Sequence, residues 1–480
     1  MRLKRTVQRF IGLSLLGPIV ASAAVFCANP SAQINTLIKH SLPEVHIGVA
    51  VMSADNGKII YEHNAYQTFA PASNVKLLTA AAALYRLGPN YHYSTRLMLN
   101  KRHISGHTLN GDAYIIFSGD PTLTLEDVQH FIAELKRHNI DRIRGNIILD
   151  DSRFSRPDYA PGSSYEDHVW YYTAPISAIL INQNALYFQI VPNKTLDKPA
   201  KVYTSPIGRA YTSQLPSHIK TVTFAQSMRY CSLVVNVSHD NTYQLTGCWP
   251  IDDKPKGLKL ALRNPALFAE RIIRKALVEN HVQLTGSIKT GKAPKGLNVV
   301  SEKQSAKLKT LIITMMKDSN NIYAESLTKT LGAEEYGQGT FLLGTDEIEN
   351  VLHDKTGINF QRASLRDGAG ASRYDLLTPL QITRLLYVVN QDKALRKDFI
   401  ESLPEAGTDG TLWRRMRSPD MKNSVEAKTG SMTGISTLSG YIKTINGQTL
   451  VFSIMVNGIT GSVQAARDFQ DELLSILRRD

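Results

Sequence analysis

The stretch Pro71-Ala-Ser-Asn-Val-Lys-Leu-Leu-Thr-Ala-Ala-Ala-Ala-Leu84 constrains this chain most. Its alanines and leucines are strong helix formers. It is apolar nearly all round, which predicts a buried helix rather than a surface one. Pro71 stands just ahead, where a helix tolerates proline. Ser73 and Lys76 are three apart and so share a helix face. Ser73 falls in the expected first turn, where free N–H groups and the positive end of the dipole favour a developing anion. A buried lysine beside a serine hydroxyl is a candidate general base. Taken alone, the pair also fits an N-cap serine and a snorkelling lysine. A second Ser-x-x-Lys, Ser217 to Lys220, runs into β-like sequence and opens no helix.

A length of 480 residues suggests two or three domains. Residues 1–27 read as a secretory signal peptide: basic Arg2, Lys4, Arg5 and Arg9, an apolar run from Phe10 to Phe26, and small residues Ala21 to Ala24 for cleavage. The bulky Phe26 before Cys27 argues against a lipoprotein. Without those four cations the formal net charge falls from +13 to +9. A basic exported protein can lie against anionic surfaces, so peripheral membrane association stays open beside a merely solvated basic surface. No aromatic-interleaved basic cluster points to nucleic acid. Cys231 and Cys248 flank a hairpin-like stretch, and in an oxidising compartment a disulfide between them is the natural reading.

Helix-period and strand-period segments alternate in an order that suggests an α/β (α+β) protein. A helix is expected at 31–43, strands at Val45–Met52 and Ile59–Tyr61, then the Pro71 helix. Short β-like runs follow at Ala113–Phe117, Gly145–Leu149, Ala185–Val191, Thr221–Phe224 and Ser232–Val237, with one helix at Thr124–His138. Helices return at 265–280, 306–317, 320–331, 344–357 and 378–391. Strands Ser424–Lys428, Thr437–Thr444 and Thr449–Asn457 and a helix at 461–478 close the chain. The expected division is one catalytic unit of 29–90 and 263–480, interrupted by a β-rich insertion of two nested modules at 91–262. The unit's sheet would join strands from both chain ends, with helices on both faces.

Ser319-x-Asn321 lies between two helical stretches; read alone it is a helix start. Lys-Thr-Gly occurs at Lys289, Lys355 and Lys428, but only Lys428 ends a strand and is followed by small residues beside which a peptide could lie. In this order and setting, Ser73-x-x-Lys76, Ser319-x-Asn321 and Lys428-Thr429-Gly430 resemble the three motifs of penicillin-binding proteins and serine β-lactamases. The likeness is greater to the D-alanyl-D-alanine carboxypeptidase/endopeptidase subfamily of the penicillin-binding protein 4 type, which carries a large insertion between the first two motifs. Gly145–Asp150, Asp367-Gly-Ala-Gly-Ala-Ser-Arg373 and Leu403–Leu412 extend it over essentially the whole mature chain.

The resemblance implies a β-lactamase/transpeptidase-like domain with an antiparallel sheet flanked by helices. It implies peptidoglycan stem peptides and their cross-links as substrates, β-lactams as covalent inhibitors, and no metal or other cofactor. Ser73 would be the nucleophile, Lys76 its base, Ser319 a proton relay and Asn321 a positioning group. Burial and the neighbouring Lys428 cation would lower the Lys76 pKa. Lys428 and Thr429 would hold the substrate carboxylate, and the amides of Ser73 and Ser431 would face the oxyanion. Asp150, Phe154 and Arg373 would meet the free end of the diamino acid. The middle residue of the second motif is Asn320, where relatives often have Asp. Thr433 replaces a longer amide side chain, which leaves substrate preference open. A β-lactamase or esterase on the same scaffold and a catalytically silent wall-binding protein are the competing readings, and a homodimer stays open.

Overall fold

The computed structural model describes residues 29–42, 44–205 and 217–479; the expected signal peptide lies outside them. Strands from both chain ends form one five-stranded antiparallel sheet, in the order Val425–Met432, Ile435–Lys443, Thr449–Asn457, His46–Ser53 and Ile59–His63. His46 pairs with Asn457, and Lys428 pairs with Ser439. The central strands Ile435–Lys443 and Thr449–Asn457 are buried almost end to end because helices cover both faces. One face packs against the terminal helices Pro30–Ser41 and Gln464–Arg478 through Ile34, Phe469 and Leu473. The other packs against Pro379–Gln391 and the helix Val75–Leu87, whose residues Val75 to Leu84 are all buried. That explains the all-round apolar run: this helix has further helices, Asn321–Tyr336 and Phe341–Thr356, around it.

A second five-stranded sheet runs Ile288–Thr290, Ile147–Asp150, Ala113–Ile116, Ser94–Leu99, Asn298–Gln304. The helices Leu125–Arg137 and Pro265–Glu279 share its core. The division expected at 262 therefore cuts through this module, and we place its end near 305 instead. Turn-rich sequence between 280 and 305 concealed the two edge strands, whose partners lie far back in the chain. Within this module sits another, made of two three-stranded sheets: Lys201–Thr204, Ala185–Val191, Lys256–Ala261, and Ser217–Val222, Tyr243–Pro250, Val234–Val237. Cys231 and Cys248 are bonded there, next to the antiparallel pair Val234–Val237 and Tyr243–Pro250. The strand expected at Thr221–Phe224 ends at Val222. Thr223 and Gln226 form a capping box that starts the helix Phe224–Tyr230. Among the described residues, no helix is long and apolar enough to cross a membrane.

Candidate active site

Ser73 stands in a single 3-10 turn, Ala72–Asn74, that leads into the helix Val75–Leu87 rather than in the helix proper. Ala72 adopts a left-handed φ of 46°. A non-glycine residue in that conformation stores strain of roughly 1–2 kcal/mol. The turn is held from beneath: Thr437 Oγ1 donates to Pro71 O at 2.9 Å, and buried Asn74 donates to Ser439 Oγ at 2.7 Å. Both partners belong to the central strand Ile435–Lys443, so the sheet itself sets the position of the serine.

Lys76 is fully buried, and its Nζ has three partners: Ser73 Oγ at 3.0 Å, Asn321 Oδ1 at 2.7 Å and Ala369 O at 2.7 Å. The Asn321 amide completes its own bonding by donating to Tyr172 O at 2.9 Å. Two of the Lys76 partners are carbonyl oxygens, which only accept. They claim two N–H groups whatever the charge on the amine. The third position of the neutral amine, its lone pair, then faces the Ser73 hydroxyl. Burial lowers Lys76 to about 8, while the carboxylates of Asp367 and Glu325 pull the other way. The acids moderate a fall that burial alone would make larger. The expected lowering of Lys76 by burial is seen, but Lys428 is not among the causes of its shift; the repulsion falls on Lys428 instead. Lys428, also fully buried, is pushed well below the usual ammonium range, first by burial and then by the Lys76 charge.

The Lys428 ammonium donates to Ser319 Oγ at 2.8 Å and to Thr429 O at 2.8 Å. Ser319 follows the C-terminal end of the helix Leu308–Lys317 with a left-handed φ of 54°. Glycine is usual in such a place; a serine there puts a hydroxyl at the base of the cleft. Asn320 then caps the next helix by accepting from the amides of Ile322 and Tyr323. On the strand Val425–Met432, Gly430 leaves room for the nucleophile: a Cβ there would lie 2.1 Å from Thr437 Oγ1 and 3.0 Å from the Ser73 nitrogen. Thr429 Oγ1 donates to Thr411 Oγ1 at 2.7 Å. The Ser431 hydroxyl accepts from Arg467 at 3.4 Å.

The loop from Asp367 to Arg373, of which only Arg373 was expected to meet substrate, completes the site. Asp367 is buried and accepts four backbone N–H groups, from Ala369, Gly370, Ala371 and Ser372. This wraps the loop so that the Ala369 carbonyl meets Lys76. Gly370 has φ 76°, and a Cβ on it would come within 1.8 Å of Ala72 O. Glu325 accepts from Gly368 N at 3.1 Å, and burial pushes its carboxyl well above the usual range. Asn321, Glu325 and Lys329 are four apart along one helix, a spacing that could have singled out the buried pair from sequence.

Two expected residues are not brought here. Asp150 lies on the second sheet, buried, its carboxylate accepting from Ser152 N at 3.0 Å and Ala293 N at 2.7 Å. Phe154 is buried where a side chain on Gly119 or Gly339 would strike its ring. Asp150 ends the strand Ile147–Asp150, and Phe154 follows it, packed in the core of the second module. Asp167 accepts from Tyr172 OH at 2.9 Å, on the segment whose Tyr172 carbonyl meets Asn321. Arg373 is exposed at the end of the Asp367 loop, its amide donating to Gly162 O at 3.1 Å. Among the described residues, no three His, Cys, Asp or Glu side chains converge as metal ligands.

A serine on a strained turn, a buried amine aimed at it, and a second serine–lysine pair on the facing strand define a serine acyl-transfer site of the penicillin-binding class. The chain belongs to the D-Ala-D-Ala carboxypeptidase 3 (S13) family, whose model matches residues 31–479. It is 30% identical over 464 residues to the D-alanyl-D-alanine carboxypeptidase DacB of Haemophilus influenzae, covering 94% of each chain. Its fold is similar to the crystal structure of penicillin binding protein 4 (dacB) from Haemophilus influenzae, with a TM-score of 0.86 and 29% identity over 93% of this chain and 99% of that one. The structure described as that protein complexed with a novel β-lactam gives a TM-score of 0.80 and 28% identity, over 93% of this chain and 100% of that one.

With Lys76 as the expected base, active only when neutral, kcat/KM is expected to rise about tenfold per pH unit below about pH 8 and to level off above it. A pH–rate profile for acylation by benzylpenicillin, which has no free amine to titrate, checks this. A flat profile between pH 6 and 8 would exclude Lys76 as the base.

Proposed function

We propose that this protein is an exported serine D-Ala-D-Ala carboxypeptidase and DD-endopeptidase that acts on peptidoglycan stem peptides and cross-links. The observation that carries the reading is the bonding of Lys76, whose carbonyl partners leave the amine lone pair directed at Ser73 Oγ. Ser73 Oγ attacks the carbonyl carbon of the D-alanyl bond as Lys76 takes its proton. The amides of Ser73 and Ser431 receive the oxyanion, each worth about 3–4 kcal/mol to the transition state. The leaving amine takes a proton through Ser319, and water then hydrolyses the ester. The carboxylate beside the scissile amide meets Lys428 and Thr429. Burial and the Lys76 charge hold Lys428 below the usual ammonium range, and an arriving carboxylate favours its charged form. The N-terminal segment and the Cys231–Cys248 bond support a periplasmic location.

The diamino-acid end of the substrate meets Asp167 and Arg373 in this reading, in place of Asp150 and Phe154. Asp167→Ala is expected to lower kcat/KM on peptides with a free diamino-acid end by about 10–100-fold and to leave penicillin acylation unchanged. Asp150→Ala is expected to cost about 1–3 kcal/mol of stability and leave the ratio of the two activities alone. Equal effects of both substitutions on that ratio would remove the assignment.

The direct test is intact mass after exposure to benzylpenicillin. The wild-type protein is expected to gain one drug molecule and Ser73→Ala none. No adduct with the drug left intact would move a non-catalytic wall-binding role to the front. No adduct with the drug hydrolysed would favour a β-lactamase.

A further inference from the structure

The helix Asn321–Tyr336 carries a second buried cation that the chemistry at Ser73 does not use. Lys329 is fully buried, and no carboxylate among the described residues pairs with it at ion-pair distance. Its ammonium spends all three N–H groups on backbone carbonyls: Ser155 O at 3.0 Å, Pro157 O at 2.8 Å and Ile176 O at 2.8 Å. The rings of Phe341 and Phe154 face it, with centroids at 4.7 and 5.8 Å. Burial lowers this ammonium to about 8; the charges of Asp158 and Glu325 oppose the fall and that of Arg156 adds to it. An apolar side chain of the same length would fill the space without the desolvation cost of an ammonium.

The three carbonyls are not neighbours in sequence. Ser155 and Pro157 open an arm that Ile176 closes, and the two ends also meet through Ile176 N donating to Asp158 O at 2.8 Å. Between them the arm reaches the site. Pro161 O accepts from Ser372 Oγ at 2.7 Å, Gly162 O accepts from Arg373 N at 3.1 Å, and Tyr172 O accepts from Asn321. The arm also carries Asp167, and Tyr159 stacks on His168 at 4.1 Å to stiffen its middle. One helix therefore grips the arm twice, through Asn321 in the cleft and through Lys329 about two turns further on.

We propose that Lys329 is a positioning residue whose ammonium clasps both ends of the arm 155–176 and so sets the affinity for the peptide end that meets Asp167, with no part in acylation. This rests on the peptidase reading above. One tetrahedral ammonium can hold three carbonyls at once, which neither a thioether nor a single amide does. The clasp acts on ground-state and transition-state binding alike, so its loss appears in KM rather than kcat.

The test compares wild type, Lys329→Met and Lys329→Arg on two probes: a stem peptide ending in D-Ala-D-Ala with a free diamino-acid amine, and benzylpenicillin, which lacks that end. Lys329→Met is expected to raise the peptide KM about tenfold, with kcat within about threefold and penicillin acylation within about twofold. Lys329→Arg, which keeps charge and donors, is expected to recover most of the KM. An unchanged KM in Lys329→Met overturns the proposal. So does a parallel fall in peptide hydrolysis and penicillin acylation, which would mark a merely structural residue. If Lys329→Met does not fold, Lys329→Gln carries the same comparison with two donors in place of three. A wild type that neither binds penicillin covalently nor releases D-alanine overturns the peptidase reading and this inference with it, and is recognised because it occurs without any substitution.

Discussion

Lys76→Met is expected to slow acylation by benzylpenicillin, and D-alanine release from peptides, by about 10³–10⁴-fold. Methionine fills the same buried channel, so the helix Val75–Leu87 keeps its packing. What disappears is the only amine within hydrogen-bonding distance of Ser73 Oγ among the described residues. Ser319 could not substitute, because its hydroxyl is engaged by Lys428, a group that donates to it. The pH dependence should change with the rate: the rise toward pH 8 in wild type should be lost in the variant, since the group that titrates is gone. Removing the ammonium also strands two acceptors, Asn321 Oδ1 and Ala369 O, at a cost of about 1–3 kcal/mol each where water cannot reach them. Against this stands relief of the buried charge, so the net change in Tm is small beside the change in rate. Acylation within tenfold of wild type would show that another group takes the proton.

Asp367→Ala is expected to cost about 3–5 kcal/mol of stability and to reduce acylation severely in the protein that still folds. Its carboxylate is the common acceptor for the amides of Ala369 at 3.0 Å, Gly370 at 2.5 Å, Ala371 at 2.8 Å and Ser372 at 2.6 Å. Without it the four donors face a dry interior, and the loop can satisfy them only by leaving its place. The Ala369 carbonyl then leaves Lys76, and Gly370 leaves its close seat on the Ala72 turn. Asp367→Asn is expected to be nearly as damaging, because an amide offers one acceptor oxygen and turns its NH₂ toward the remaining N–H groups. The neighbouring Asp375 gives an independent reading. Burial and the Asp367 charge hold its carboxyl well above the usual range, so losing Asp367 should let it ionise more readily. Thermal unfolding and penicillin acylation check the pair of substitutions. An Asn variant within 1 kcal/mol of wild type would mean that the loop does not depend on this carboxylate.

The stretch around Ser73 was legible in the sequence because burial on all sides leaves a pattern that helix packing requires: a mainly apolar run in which Lys76 is the one charged residue before Arg86. The three short motifs were legible because each also has a local structural signature: a helix entry, a helix junction and a strand. The surroundings of Asp150 and Phe154 were not legible, for the opposite reason. Their segment has the right composition, but the direction of a strand in a second module decides whether its side chains enter a cleft or a core. The far edge of the second sheet was similarly hidden, since Ile288–Thr290 and Asn298–Gln304 are strands only by virtue of partners at Ile147–Asp150 and Ser94–Leu99.

Residue order and local propensity were thus enough for the helix at Lys76, the alternation of elements, the cysteine pair and the family to which the motifs belong. Contacts across long separations decided the rest. Lys76 meets Asn321 and Ala369 from 245 and 293 residues away, and Lys428 meets Ser319 across 109. No periodicity encodes the angle at which such groups converge. The left-handed turns at Ala72 and Ser319, the wrapping of a loop around Asp367 and the clasp at Lys329 exist only where packing from several directions compensates for strain and desolvation that no short segment could sustain alone.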